Sequence, residues 1–172
     1  MAERKYILSK EVAAKKLRRL ALEVVENNYD ETQLVLIGIR DNGIVIANEI
    51  AGYLKEIFPG AVEVIELGLD KKRPAEIVLS SNMDFNGKSI LLIDDVANSG
   101  STMLYALKPL LETYPKKIQT LALVERTHKS FPIDVDYVGL SVSTTPDQHI
   151  YVEVVDNQVN GAWLEQKEAS GT

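Results

Sequence analysis

At 172 residues, with 45% hydrophobic and 26% charged side chains, the chain has room for one sizeable core and the composition of an ordinary globular protein. It has no cysteine, which excludes a disulfide framework and a thiolate metal site, and it lacks the run of about 18 apolar residues that marks a membrane span. The formal net charge of −6 argues against a globally basic nucleic-acid binder.

The opening Met1-Ala2-Glu3-Arg4-Lys5 carries no apolar secretory segment, so a cytoplasmic protein is expected. Ser9 is a candidate N-cap, with Val12 at the fourth position. Ala13, Leu17, Leu20 and Val24 then recur at helical spacing up to Asn27-Asn28. The outer face of this helix carries Lys15, Lys16, Arg18 and Arg19, which read first as a solvated face and second as the one conspicuous basic candidate for RNA. Residues 34–39 form an uninterrupted apolar run, as in a central parallel strand. Arg40-Asp41-Asn42-Gly43 follows. Ile44, Ala47, Ile50, Ala51, Leu54 and Ile57 then make a helix that Pro59-Gly60 ends.

Residues 62–67 alternate apolar and acidic side chains, a half-buried strand or the first arm of a hairpin with Ile77-Val78-Leu79 as its return. Between them, residues 68–74 break the pattern with the consecutive cations Lys71-Lys72-Arg73. This segment is either a mobile surface loop or a cationic lid over phosphates.

The most informative stretch is 89–102. After the turn Asn86-Gly87, residues 89–93 read as a strand buried on both faces, with Asp94 and Asp95 placed where it ends. Asn98-Ser99-Gly100-Ser101-Thr102 then leads into a helix beginning near Met103. Strand, acidic pair, small-residue turn and helix describe an anion site made of backbone N–H groups and hydroxyls, with the glycine letting the main chain come close. The two aspartates repel a phosphate, so they must face hydroxyl groups or a metal on the same ligand. A phosphorylated sugar is the natural candidate. A plain turn with a Ser/Thr cap and solvated carboxylates is the bland alternative, and the ordered combination disfavours it.

The helix after this turn is expected to reach about Tyr114. Residues 118–124 read as a buried strand and 125–132 as a polar connection. Residues 135–140 and 150–155 read as short strands, with turn chemistry from Gly139, Ser143, Thr144, Thr145 and Pro146. His128 and His149, far apart in sequence, read as surface or hydrogen-bonding residues. Residues 166–172 read as a frayed tail. Strands alternating with helices imply an α/β fold with a mainly parallel sheet, helices on both faces and the ligand at the carboxyl ends of the strands.

The stretch 89–102 resembles the 5-phosphoribosyl 1-pyrophosphate (PRPP) binding motif of type I phosphoribosyltransferases. Ile7-Leu8, Ala14, Leu17, Arg19, Ala21, Glu23-Val24-Val25-Glu26 and Val35-Leu36-Ile37-Gly38-Ile39-Arg40 look like the start of one subgroup. Glu125-Arg126-Thr127-His128, Phe131-Pro132-Ile133 and Asp136-Tyr137-Val138-Gly139 look like its end. That subgroup is the pyrimidine-operon attenuation regulator that is also a uracil phosphoribosyltransferase, and the similarity spans roughly residues 6–155.

The resemblance implies one phosphoribosyltransferase domain over residues 1–172, with a small hood and a flexible loop. It implies transfer of ribose 5-phosphate from PRPP to a nucleobase, with uracil the best guess, and release of pyrophosphate. Ala97, Asn98, Ser99, Gly100, Ser101 and Thr102 would hold the 5-phosphate, while Asp94 and Asp95 would act as the catalytic pair on the ribose hydroxyls. Arg40, Asp41, Asn42, Gly43 and Lys72 would bind pyrophosphate, with main-chain amides exposed by an unusual cis peptide in the Arg40 loop. Arg73, beside Lys71 in the flexible loop, would join the catalytic set. Tyr137 would stack on the base and the Val138 backbone would read its edge. Mg2+ would ride on the pyrophosphate with few protein ligands, Asp94 and Asp95 among them. The expected partners are PRPP, a nucleobase or nucleoside monophosphate, and a second copy in a homodimer or higher homo-oligomer.

Relatives that use hypoxanthine or guanine carry aspartate at the position of Asn98 and lysine at that of Glu125, and this chain has neither. Asn98 is an amide with no basic lone pair, which weighs against a 6-oxopurine enzyme. Residues 68–76 also depart from the subgroup's usual pattern. The alternative reading is a PRPP- or nucleotide-sensing regulator of pyrimidine metabolism, of the RNA-binding attenuator type, with weak or no transferase activity. A hydrolase or other sugar-phosphate enzyme on the same scaffold is the remaining possibility.

Overall fold

The computed structural model describes residues 3–167. Its first half runs β1 (Arg4–Ser9), α1 (Lys10–Asn27), β2 (Gln33–Ile39), α2 (Asn42–Ile57), β3 (Ala61–Asp70), β4 (Arg73–Leu79) and β5 (Ser89–Ala97). The second half runs α3 (Ser101–Ala106), α4 (Lys108–Leu111), β6 (Lys117–Arg126), β7 (Tyr137–Val142), β8 (Gln148–Val155) and β9 (Gln158–Gln166). Six strands form one sheet in the order β4-β3-β2-β5-β6-β7, parallel except for the edge strand β4. The other three form an antiparallel sheet, β1-β9-β8.

The central strands are apolar on both faces because both faces are covered. Leu34 and Leu36 of β2, Leu91 and Ile93 of β5, and Leu121 and Leu123 of β6 pack against α1, α2 and the small sheet. The alternate residues Val35, Ile37, Ile90, Leu92 and Ala122 turn to the other side and meet Met103, Ala106 and Leu110 of α3 and α4. Ser9 caps α1 by accepting the Val12 N–H at 3.2 Å, as the spacing predicts. The basic face of that helix is partly consumed within the fold. Lys16 donates to the Gly139 carbonyl at 3.0 Å, and Arg19 reaches the Val138 and Gly139 carbonyls, so these cations cover the exposed edge of β7.

Several expectations change. β5 continues to Ala97, so the acidic pair lies within the strand's last turn of residues and not beyond it. The break expected over 68–74 is a tight hairpin: β3 runs to Asp70, β4 starts at Arg73, and the Lys72 N–H is held by Asp70 Oδ1 at 2.9 Å. The helix expected to reach Tyr114 divides at Leu107, before Pro109, and ends at Leu111, since proline cannot donate to the preceding turn. Residues 150–155 belong to the small sheet rather than the large one, and β1 and β9 have no counterpart in the sequence reading. Gln166 closes β9 and the Lys167 N–H donates to the Asp147 carbonyl at 2.8 Å, whereas the rest of the expected tail, 168–172, lies outside the described residues.

Leu36 is fully buried in β2 between α1 and α2. Leu36→Ala should lower unfolding free energy by about 2–5 kcal/mol in urea titration, and a loss below about 1 kcal/mol would contradict this packing.

Candidate active site

The site follows from one pairing. β2 and β5 are parallel neighbours with Gly38 opposite Ile93, so the segments after both strands leave the sheet at the same edge. After β2 the Arg40–Asp41 peptide is cis, and α2 starts at once. Gly43, in its first turn, is pressed against β5. A Cβ there would lie 2.7 Å from the Ile93 carbonyl oxygen and 3.1 Å from the Asp94 Cα, so only glycine lets the helix start that close.

Asp94 is 2% exposed, and its Oδ1 accepts the Asp95 N–H at 2.8 Å. Burial, and next the neighbouring Asp95, hold its carboxyl well above the usual carboxylate range, while Lys71 acts in the opposite direction. Each Asp95 oxygen accepts one hydrogen bond. Oδ1 accepts the Val96 N–H at 2.8 Å, and Oδ2 accepts from Asn42 Nδ2 at 3.3 Å. The same Asn42 nitrogen donates to the Val152 carbonyl of β8 at 3.0 Å.

Beyond β5, Lys71, Asp94, Ala97, Asn98, Ser99, Gly100 and Thr102 line a narrow cleft of about 60 Å³. Gly100 has φ +87°, and a Cβ there would meet Ile133 Cγ2 at 2.5 Å, so glycine is required twice over. The turn is anchored from outside: the Ser99 carbonyl accepts the Ser130 and Phe131 N–H groups, each at 3.0 Å, while Ser99 Oγ accepts the Ser101 N–H at 3.2 Å. α3 has only six residues, so an anion placed here would be met by the loop's N–H groups and hydroxyls more than by a long helix dipole.

A second cleft, about 390 Å³, is lined by Arg40, Asp41, Asn42, Leu69, Asp70, Lys71 and Asp95. Arg40 is held by Glu66, Nε to Oε1 at 2.8 Å. Of the three consecutive cations, Lys71 lines both clefts. Lys72 and Arg73, the two expected in the site, line neither of them. The tight turn fixes which of the three faces inward, and sequence spacing alone could not.

A third cleft, about 670 Å³, adjoins the turn and is lined by Asn98, Ser99, Arg126, His128, Ser130, Thr144, Pro146 and His149. Among the buried side-chain atoms without a hydrogen-bond partner are Arg126 Nε, Thr144 Oγ1 and His149 Nε2, all three in residues of this cleft. The other guanidinium nitrogens of Arg126 donate to the Gln148 and Thr145 carbonyls, at 2.8 and 3.5 Å, which holds the side chain in place. Glu125 is occupied by Lys129 and by Ser141 Oγ.

The expected base contacts are not in this cleft. Tyr137 is 3% exposed and packs in the core with α1, and its hydroxyl donates to Gln119 Oε1 at 2.8 Å, so no ring face is free to stack. The Val138 carbonyl accepts from Arg19 at the sheet edge. Both lie near the start of β7, while the ligand edge is at its far end. Sequence reasoning missed Arg126, Thr144 and His149 as members of one site. Arg126 stood in a recognised stretch, but His149 is brought in only by the small sheet.

Residues 4–157 match the family described as the phosphoribosyl transferase domain. The chain belongs to that family. Its enzyme class is therefore PRPP-dependent phosphoribosyltransferase, as residues 89–102 led us to expect. Among curated relatives of this phosphoribosyltransferase, "Bifunctional protein PyrR" of Pelotomaculum thermopropionicum is 33% identical over 178 residues, covering 96% of this chain and 98% of that protein. "Pyrimidine operon regulatory protein" of Lactococcus lactis subsp. lactis is 30% identical over 170 residues, with 96% and 98% coverage. The hypoxanthine phosphoribosyltransferase of Trypanosoma cruzi superposes with a TM-score of 0.78 at 15% identity, covering 95% of this chain and 97% of that one. A hypoxanthine-guanine phosphoribosyltransferase of Bacillus anthracis gives 0.73 at 18%, with 95% and 98% coverage. At those identities the likeness establishes the fold alone.

With its folded-state pKa raised, Asp94 contributes stability that is fully present below the ordinary value of 3.8 and is lost as pH rises through the folded pKa. The Tm of the ligand-free protein should therefore fall as pH rises above the ordinary carboxylate range, and Asp94→Asn should flatten that slope. Equal slopes in the two proteins would contradict the placement of a buried acid at the end of β5.

Proposed function

We propose that this phosphoribosyltransferase transfers ribose 5-phosphate from PRPP to uracil, releasing pyrophosphate, and that it works in the cytoplasm as a homodimer or higher homo-oligomer. The observation that carries the choice of base is the set of unpartnered atoms in the third cleft. Arg126 Nε is a donor, Thr144 Oγ1 gives or accepts, and His149 Nε2 takes either role according to tautomer. An imide edge, with a carbonyl on each side of an N–H, offers the complementary pattern; uracil presents one, as do xanthine and orotate, whereas hypoxanthine, guanine and adenine do not. Leaving these groups unpaired in a buried cleft is unfavourable, so a ligand that pairs them gains discrimination over one that does not.

In this reading the 5-phosphate sits on the turn 97–102, and Asp94 and Asp95 receive the ribose 2- and 3-hydroxyls. Arg40, Asp41, Asn42 and Gly43 line the pyrophosphate side, with Lys71 above them and Lys72 and Arg73 available on the same hairpin. A bond forms between uracil N1 and the anomeric carbon as the bond to the pyrophosphate oxygen breaks, and the electron pair leaves with pyrophosphate. The N1 proton passes to solvent or to an oxygen of the departing pyrophosphate, because Asn98, an amide, cannot take it. The chain's work is to hold the ribose and base in line, place Lys71 where negative charge develops, and exclude water.

Mg2+ belongs to this proposal. Among the described residues no three His, Cys, Asp or Glu side chains converge as a metal cage, and two carboxylates beside a pyrophosphate site suit an ion that keeps most of its waters. Bound with PRPP, it would neutralise charge on the leaving group, with Asp94 and Asp95 as the chain's contribution.

The relatives' names favour a second reading, a nucleotide-sensing regulator of pyrimidine metabolism. RNA contact has less support, because Lys16 and Arg19 are engaged with β7 and only part of the α1 cluster projects freely.

Pyrophosphate release from PRPP with Mg2+ should occur with uracil and not with hypoxanthine, guanine or adenine, which lack the imide edge. No turnover with any base, alongside saturable PRPP binding, would move the function to regulation. Arg126→Ala should raise the KM for uracil by roughly 10-fold or more while leaving the KM for PRPP within about 2-fold, and the reverse pattern would contradict the assignment of the third cleft.

A further inference from the structure

Asn42 stands in the segment between β2 and α2, where a side chain facing pyrophosphate is expected. Its amide is already spent. One hydrogen of Nδ2 goes to Asp95 Oδ2 at 3.3 Å and the other to the Val152 carbonyl at 3.0 Å. Val152 lies on β8, three residues beyond His149 of the third cleft, a distance of about 10 Å along the strand. One planar amide therefore joins a carboxylate at the floor of the sugar site to the strand that bears a wall of the base cleft.

Other hydrogen bonds also hold the small sheet to the body of the protein. Arg126 holds the start of β8 through the Gln148 carbonyl, and Glu49 of α2 accepts the Val159 N–H at 3.0 Å. Neither of those reaches Asp94 or Asp95. The Asp95 carboxylate has one further anchor, the Val96 N–H on Oδ1, so among the described residues Asn42 is the only side chain that donates to it.

We propose that Asn42 is a positioning residue that ties β8 to Asp95 and thereby couples occupancy of the PRPP site to the setting of the base cleft. This rests on the reading of the two clefts given above. When ribose hydroxyls engage Asp95, the carboxylate becomes a fixed acceptor, the shared amide is held in plane, and β8 is drawn to a defined distance from the sugar. Base binding that orders β8 strengthens the hold on Asp95 in return, because coupling between two binding sites is reciprocal.

The test is hydrogen exchange over residues 148–155, with PRPP and Mg2+ present and no base, so that no turnover intervenes. In the unmodified chain, saturating PRPP should slow exchange of β8 by about threefold or more, although PRPP does not touch that strand. Asn42→Leu, of similar size and with no donor, should abolish the slowing and weaken PRPP binding by roughly three- to tenfold in calorimetry. Glu49→Leu serves as the comparison. It should loosen β8 without ligand yet keep the PRPP-dependent slowing, since its contact with Val159 bypasses Asp95. If the leucine variant at 42 does not fold, Asn42→Ala gives the same readout. PRPP-dependent slowing that persists without the amide, or that is lost equally in Glu49→Leu, would overturn the coupling while leaving the PRPP site in place. An unmodified chain that binds no PRPP would overturn the site reading and the coupling with it.

Discussion

The contact of Gly43 with the end of β5 is the constraint on which the site depends. With no side chain at 43, α2 starts against Ile93 and Asp94, so the loop after β2 and the loop after β5 share one edge of the sheet. Displacing α2 by the width of a methyl group would move Asn42 away from Asp95 and Val152, and would separate the second cleft from the first. Packing at one glycine thus sets the geometry of four polar groups. Interiors pack too densely for such a shift to be absorbed locally.

The same edge gathers charges that the ligand-free protein does not fully balance. Asp94 is buried beside Asp95, and the nearest cation acting on it is Lys71, from a hairpin tip on another strand. Arg40, which lines the second cleft, is shared with Glu66. A ligand that brings hydroxyls to the aspartates and phosphates to the lysine would complete both halves at once. A phosphorylated sugar carrying pyrophosphate has that distribution. The overall charge of −6 fits a site in which positive groups are few and placed, as opposed to spread over a face for a polyanion.

Much of this was legible in the sequence, for a physical reason. Residues buried on both faces of a parallel strand must be apolar, which exposed β2, β5 and β6 as continuous runs, and the small residues at 98–102 marked the turn that lines the narrow cleft beyond β5. The small sheet was not legible. β1 is largely exposed and carries Arg4, Lys5 and Tyr6, so its apolar pattern is weak. β9 contains Asn160 and Gly161 in its middle. The turn between β8 and β9, Asp156-Asn157 with φ of +50° and +59°, is the mirror-image hairpin type and was the one available signal. Missing that hairpin left His149 unconnected to Arg126 and Thr144, with which it shares the third cleft, while the expected base contacts Tyr137 and Val138 lie at the start of β7, away from that cleft. The inward-facing cation was likewise hidden, because a two-residue shift in where a hairpin turns decides whether Lys71 or Arg73 faces the ligand.

In the function we propose, three adjoining clefts at one sheet edge hold the phosphate, ribose and base of a single pyrimidine nucleotide together with pyrophosphate. A crystal structure with uridine monophosphate tests it most directly. The phosphate should lie on the 97–102 turn, the ribose hydroxyls at Asp94 and Asp95, and the uracil imide edge against Arg126, Thr144 and His149. A nucleotide bound with its base toward Tyr137, or with its phosphate at the Arg40 loop and the 97–102 turn empty, would contradict it.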